Sequence, residues 1–292
     1  MWKELLKKRI IFVTGKGGTG KTTISSILSL LFSDLGKKTL FALANYNPPV
    51  LSLFPNYNFS FKIKEIKKDL YGINIDTVEG IKEFISIVLR SRLAVKFLFE
   101  SKFGEELSSI IKVVPVVKEW TIIGKLTEHI EREDFDTIIV DSPSTGHFVD
   151  LIKVGDLIAK LTPDGFMKEL AIKKSRYLRS SFSTIVITTV LESLAINETE
   201  SLIEFLKRNG FNIQGIIVNK VLPFFIEERD IEELDLSLEL KRFLLDKLKQ
   251  RERQEQLLKR LEKIGLPLIL LPYIVEDSFE VLLYRILKVF IC

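Results

Sequence analysis

Residues 9 to 23, RIIFVTGKGGTGKTT, join an apolar run to a loop with four glycines and two lysines. This stretch constrains the fold more than any other. Residues 9 to 14, RIIFVT, read as a short buried strand, and Gly15, Gly20, Lys21 and Thr22 satisfy the spacing G-x-x-x-x-G-K-[ST]. Glycines let successive backbone N–H groups turn inward around phosphate oxygens, and a helix opening there adds the positive end of its dipole. The sequence predicts that helix from about Gly20 to a stop at Gly36.

The rest of the chain supplies a sheet. Apolar strands are predicted at KKTLFALA, LYGINID, FDTIIVD, STIVITT, FNIQGIIVN and PLILLP. Helical stretches separate them, including residues 79 to 132, 149 to 181 and 237 to 264, with an amphipathic end at SFEVLLYRILKVF. Strands alternating with helices imply an α/β fold, a mostly parallel sheet with helices on both faces. The apolar elements at 79–132 and 149–181 are expected to form a helical accessory subdomain within one domain spanning 1–292.

Composition narrows the partners. The net charge is +4, from 43 basic and 39 acidic residues, too mild a balance to argue for nucleic acid. Cys292 is the only cysteine, so the chain by itself builds no disulfide, zinc site or three-thiol site. The apolar run at the N-terminus is too short for an export signal, and no stretch reaches the roughly twenty apolar residues of a membrane span. These features predict a reducing, cytoplasmic setting. The basic run Lys168, Lys173, Lys174, Arg176 and Arg179 reads as a solvated helix face.

A phosphate loop needs a magnesium ligand on each side of the ion. Thr22 supplies a hydroxyl, and Asp141 ends an apolar strand where a carboxylate reaches the ion through water. Lys21 is placed to contact the β- and γ-phosphates. Nothing in this logic requires the second lysine, Lys16.

Five stretches carry a resemblance that accounts for it. GKGGTGKTT, YGINIDTVEGIKEF, DSPSTGH, ITTVLESLAINETESLIEFL, and the pair IVNKVLP and LPLILLPYIVED resemble, in order, segments of the arsenite-pump and tail-anchored-protein-targeting ATPases. That family lies in the deviant-Walker group of P-loop NTPases, with the MinD and ParA partition ATPases. The resemblance implies ATP and Mg²⁺ as ligands, ATP hydrolysis, and a homodimer in which Lys16 reaches the phosphates held by the other subunit. It implies Gly15, Lys16, Gly17, Gly18, Thr19, Gly20, Lys21, Thr22 and Thr23 as the phosphate loop. It places Asn219, Pro272, Tyr273 and Ile274 around adenine, and Thr145, Gly146 and His147 in a second switch. A cation brought in by a neighbour offsets transition-state charge, as an arginine finger does. The implied partner is a hydrophobic client helix or a membrane protein.

The sequence also departs from that family. Where the family carries D-P-A-H-x-L-S-D in its first switch, Asn45 and Ser52 replace the two aspartates, and residues 35 to 64 contain no Asp or Glu. Serine holds a water but is a poor proton acceptor near pH 7, so weak hydrolysis is expected. The zinc-binding C-x-x-C clasp of the targeting branch is absent, as are the metalloid-binding cysteines of the pumps. Two methionines in total do not make a methionine-lined groove. The alternatives are a nucleotide-binding scaffold without turnover and a MinD-like membrane-associated ATPase using the amphipathic C-terminal stretch.

Overall fold

The computed structural model describes residues 2–44, 54, 57–82, 115–222, 228–233 and 235–274. Asn45, Ser52, the apolar stretch at 83–114, the amphipathic C-terminal stretch and Cys292 lie outside the described residues.

The uninterrupted apolar run at the start of the chain becomes β1 (Ile10–Gly15), buried along its whole length. Such runs suit a strand covered on both faces. The others are β2 (Thr39–Leu43), β3 (Lys64–Lys67), β4 (Leu70–Asn74), β5 (Thr137–Asp141), β6 (Ser183–Val190), β7 (Ile213–Val221) and β8 (Leu268–Pro272). They form one sheet in the order β3-β4-β2-β5-β1-β6-β7-β8. All neighbours run parallel except β3 and β4. The helices are α1 (Trp2–Leu5), α2 (Lys21–Asp34), α3 (Pro115–Glu131), α4 (Thr145–Leu161), α5 (Phe166–Arg179), α6 (Ser193–Arg208), α7 (Glu228–Glu233) and α8 (Leu238–Glu262).

Alternation along the strands decides which helix covers which face. Ile11 and Val13 of β1 point to the face covered by α2, where they join Ile24, Ile27, Leu28 and Phe32 in one core. Ile10 and Phe12 point the other way, into a larger core shared with Ile123 and Leu126 of α3, Phe148 and Leu151 of α4, Leu178 of α5 and Leu206 of α6. The predicted α/β architecture, a mostly parallel sheet with both faces covered, is therefore the observed one. Strand β1 sits between β5 and β6; the chain leaving β1 turns through α2 toward β2 on one side, and the chain leaving β6 turns through α6 toward β7 on the other. At such a switch point a crevice opens beyond the carboxyl ends of the strands, where ligands of open α/β sheets bind.

Three local expectations change. Strand β3, K-E-I-K, was not foreseen, because one apolar residue among three charges carries no strand pattern; it is an edge strand, where charge blocks pairing with other chains. The helical stretch at 149–181 is two helices. Pro163 and Gly165, with Gly165 at φ +147°, end α4 and reset the chain before α5. The basic run of α5 is not a solvated face throughout. Lys174 is buried and donates to the Thr127 hydroxyl. Arg179 pairs with Asp156 and lies over the ring of Phe211 at 4.4 Å. No described helix is long and apolar enough to cross a membrane.

Candidate nucleotide site

The glycine loop runs from the carboxyl end of β1 to the first turn of α2, and its shape is imposed by its neighbours. Gly15 has φ +151°, and a Cβ there would lie 2.0 Å from the Thr188 carbonyl oxygen of β6. Only a glycine lets β1 and β6 approach this closely. Gly20, at φ +93°, is the residue preceding α2, and a Cβ on it would meet the Asn219 amide nitrogen at 2.5 Å. Among the described residues, a Cβ on Gly17 or Gly18 would meet nothing within 4 Å.

Hydrogen bonds hold the loop from within. The Thr19 hydroxyl donates to the Lys16 carbonyl at 2.8 Å and lies 2.9 Å from the Thr188 hydroxyl. The Lys21 ammonium donates to the same Lys16 carbonyl at 3.1 Å. Burial holds the Lys21 pKa below its ordinary value, with the Asp141 charge opposing. Thr23 continues the first turn of α2.

Asp141, the last residue of β5, is buried below the loop. Its Oδ2 accepts from the Thr22 hydroxyl at 2.8 Å, while Oδ1 is buried with no partner among the described residues. Burial pushes the Asp141 carboxyl up to about 6; the Thr22 and Ser25 hydroxyls and the Lys21 charge pull the other way without cancelling it. An orphaned buried carboxylate oxygen beside a threonine hydroxyl is costly as it stands. It suits a hard cation that draws its remaining ligands from water and phosphate.

Strand β7 brings Asn219 to the far side of the loop. The Asn219 amide nitrogen donates to the Thr19 carbonyl at 3.1 Å, and its oxygen accepts the Lys220 N–H at 2.9 Å. The Lys220 ammonium reaches the Gly18 carbonyl at 3.4 Å. An amide so engaged keeps one N–H and one lone pair for a further partner. Pro272 lies beside Val221 in the β7–β8 pairing, and the Tyr273 N–H donates to the Val221 carbonyl at 2.7 Å. Tyr273 is half-exposed, and Ile274 packs against the α2-side core. Thr145, Gly146 and His147 form the first turn of α4, with Ser144 as the residue preceding the helix. The structure thus gathers Lys16, Lys21, Thr22, Asp141 and Asn219 around one loop, and sets Pro272 to Ile274 at the same end of the sheet.

Sequence reasoning gave no role to Glu198. This residue of α6 accepts from the Thr145 hydroxyl at 3.0 Å and lies 3.5 Å from the Lys16 ammonium. Thr188 was likewise missed, although it clasps both Gly15 and Thr19. Their one sequence signal was the helix with Glu198 and Thr199 inside the fourth resembling stretch, which says nothing of spatial partners.

The chain matches the family model described as anion-transporting ATPase over residues 8–175 and again over 168–260. It is 27% identical over 277 residues to a protein of Aquifex aeolicus named as an arsenical pump-driving ATPase, covering 82% of this chain and 90% of that one. It is 28% identical over 237 residues to the ATPase BagA of Mycobacterium tuberculosis, covering 76% of this chain and 68% of that one. With the ATPase asna-1 of Caenorhabditis elegans the identity is 25% over 275 residues, covering 75% and 77%. With the phosphate loop at the switch point of its sheet and the family match running along most of its length, the chain belongs to the anion-transporting ATPase family.

Proposed function

We propose that this chain binds Mg-ATP in the loop from Gly15 to Thr23 and closes on it as a homodimer, with weak hydrolysis. The observation that carries the reading is the pairing of Thr22 with Asp141 at 2.8 Å, with the second oxygen of Asp141 buried and unpartnered. Thr22 and Asp141 would hold the ion, Asp141 through water. When bound, Mg²⁺ neutralises phosphate charge and fixes the phosphate oxygens. Lys21 leaves the Lys16 carbonyl for the β- and γ-phosphates. Asn219 uses its remaining N–H and lone pair on the adenine edge, with Pro272, Tyr273 and Ile274 bordering the base. Lys16 acts on the nucleotide of the second subunit. Thr145, Gly146 and His147, as the first turn of α4, transmit the phosphate state into the helical layer.

Residues 1–292 act as one ATPase domain in this reading, in the cytoplasm, with the apolar elements at 79–132 and 149–181 moving on nucleotide exchange to offer or withdraw a surface for a hydrophobic client helix. Asn45 and Ser52 in place of the first-switch aspartates slow the attack of water. That substitution also supports a second reading, a nucleotide-binding scaffold in which turnover is lost. Calorimetry with ATP, with and without Mg²⁺, tests binding; Lys21→Ala serves as the blank. Phosphate release then separates the readings: slow, Lys21-dependent turnover supports the switch, none supports the scaffold, and about one per second or faster contradicts the handicap assigned to Ser52.

A further inference from the structure

Lys16 is the residue that a second subunit needs, yet its own chain already holds it. Its ammonium lies 3.5 Å from Glu198 Oε1, and the other oxygen of that carboxylate accepts from the Thr145 hydroxyl at 3.0 Å. Both ends of the arrangement are anchored. Gly15 is wedged against Thr188 of β6, which fixes where the Lys16 backbone leaves β1. The Thr199 hydroxyl donates to the Thr189 hydroxyl at 3.0 Å, which fixes the second turn of α6 over the end of β6. On the outer side of α6, Arg260 of α8 engages Asn197 and Glu200, leaving Glu198 to face the loop. One carboxylate therefore joins the lysine of the glycine loop to the first residue of α4.

We propose that Glu198 is a positioning residue that keeps Lys16 within its own subunit until two nucleotide-loaded subunits close, and that its release is felt at Thr145. This rests on the reading of the chain as a nucleotide-dependent homodimer. Lys16 cannot reach a neighbour's phosphate while it pairs with Glu198, so each closing dimer breaks two such pairs. The pair is partly exposed, with 29% of the lysine side chain and 42% of the glutamate accessible. An ion pair of this kind shifts an equilibrium about two- to fivefold. Two independent pairs multiply, so closing is disfavoured roughly four- to twenty-five-fold. A second phosphate anion, outcompeting one carboxylate, overcomes a restraint of this size. The Thr145 hydroxyl loses an oriented acceptor in the same event, which ties the start of α4 to the state of the loop.

The test is the dimer dissociation constant of the full chain with Mg-ATP, measured by sedimentation at low salt for the wild type, Glu198→Gln, Lys16→Ala and the double variant. Glu198→Gln should tighten the dimer roughly four- to twenty-five-fold. The sign is informative. Removing one acid takes the net charge of each subunit from +4 to +5, which on repulsion alone loosens a homodimer. The gain should shrink as salt screens the pair, and it should vanish in the Lys16→Ala background. Thr145→Val, which unties the other oxygen, should give a smaller shift in the same direction. A Glu198→Gln dimer as weak as the wild type or weaker overturns the proposal, as does a gain that persists without Lys16. Calorimetry on the same samples separates the failures. If the wild type binds no Mg-ATP, the nucleotide reading falls and this inference with it; if it binds Mg-ATP normally but Glu198→Gln changes nothing, only the restraint on Lys16 falls. Glu198→Asp, which keeps the charge on a shorter arm, should lie between the wild type and Glu198→Gln, and an order that breaks this also counts against the proposal.

Discussion

Asp141→Asn should make the nucleotide-free protein more stable at neutral pH while removing its response to Mg-ATP. Burial raises the Asp141 carboxyl from 3.8 to about 6 in the folded chain. A rise of about two pH units corresponds to about 3 kcal/mol of folding free energy that the ionised carboxylate costs at pH 7. Asparagine keeps the oxygen that accepts from Thr22 but carries an amide where Oδ1 is now orphaned, a buried donor that costs about 1–2 kcal/mol. The balance is a gain of about 1–2 kcal/mol, or roughly 2 to 3 °C in melting temperature for a domain of this size. The sign with pH follows from proton binding. Between 3.8 and about 6 the folded wild type holds the proton that the unfolded chain has released, so wild-type stability from this group falls as pH rises through that window. The variant's advantage is therefore largest above about pH 6, cancels near about pH 5, where the carboxylate's cost has fallen to that of the buried amide, and reverses below it. Thermal melts from pH 4 to 8, without and with Mg-ATP, measure both effects, because a ligand bound only to the folded state raises the midpoint. A stability difference that does not change with pH, or a variant that gains as much from Mg-ATP as the wild type, refutes the assignment of Asp141 as an ion-binding carboxylate kept at a cost.

The other expectations use the same loop and its supports. Lys21→Ala should abolish ATP binding measured by calorimetry, whereas, on the proposed homodimer, Lys16→Ala should leave binding by one subunit within about threefold and remove phosphate release, the step for which that proposal draws on a neighbour's cation. Gly20→Ala puts a Cβ 2.5 Å from the Asn219 amide at a positive φ; it should cost about 1–3 kcal/mol in urea unfolding and weaken ATP binding at least tenfold. Lys174→Met removes an ammonium whose pKa burial depresses, and should raise stability in urea by about 1 kcal/mol; wild-type stability from Lys174 rises with pH toward its unfolded value, so this gain should fade in alkali.

The parts of this molecule that could be read in the sequence are those set by neighbours along the chain. An apolar run followed by glycines at fixed spacing specifies β1, the loop and the opening of α2, because the strand's burial and the loop's positive φ values act within about twenty residues. Asp141 was legible for the same reason, as the polar end of an apolar strand. Strand β3 was not, since its pairing with β4 rather than its own pattern makes it a strand. The break between α4 and α5 was written in Pro163 and Gly165, but the apolar content on either side masked it. Lys174 read as surface because its run is basic, yet α3 packs over it and the Thr127 hydroxyl accepts its hydrogen bond. Glu198 shows the limit most clearly. Its contacts with Lys16 and Thr145 depend on which strand lies beside β1, and that order is a property of the folded sheet.

That sheet order also explains why one carboxylate touches both the glycine loop and the start of α4. The neighbours of β1 are β5 on one side and β6 on the other. The chain leaving β5 carries Asp141 and then enters α4 at Thr145, and the chain leaving β6 carries Thr188 and then enters α6. All three strands end at the same edge, so the loop after β1 is flanked by the openings of α4 and α6. A side chain about a turn and a half into α6 meets both. Parallel topology thus supplies the proximity, and the sequence chooses its chemistry by placing Glu198 where a lysine on one side and a hydroxyl on the other share its two oxygens. Removing either partner should be felt by the other even though no backbone bond connects them locally. Placing such a carboxylate on α8, which lies beyond α6 from the loop, would give Arg260 another partner and leave Lys16 without one.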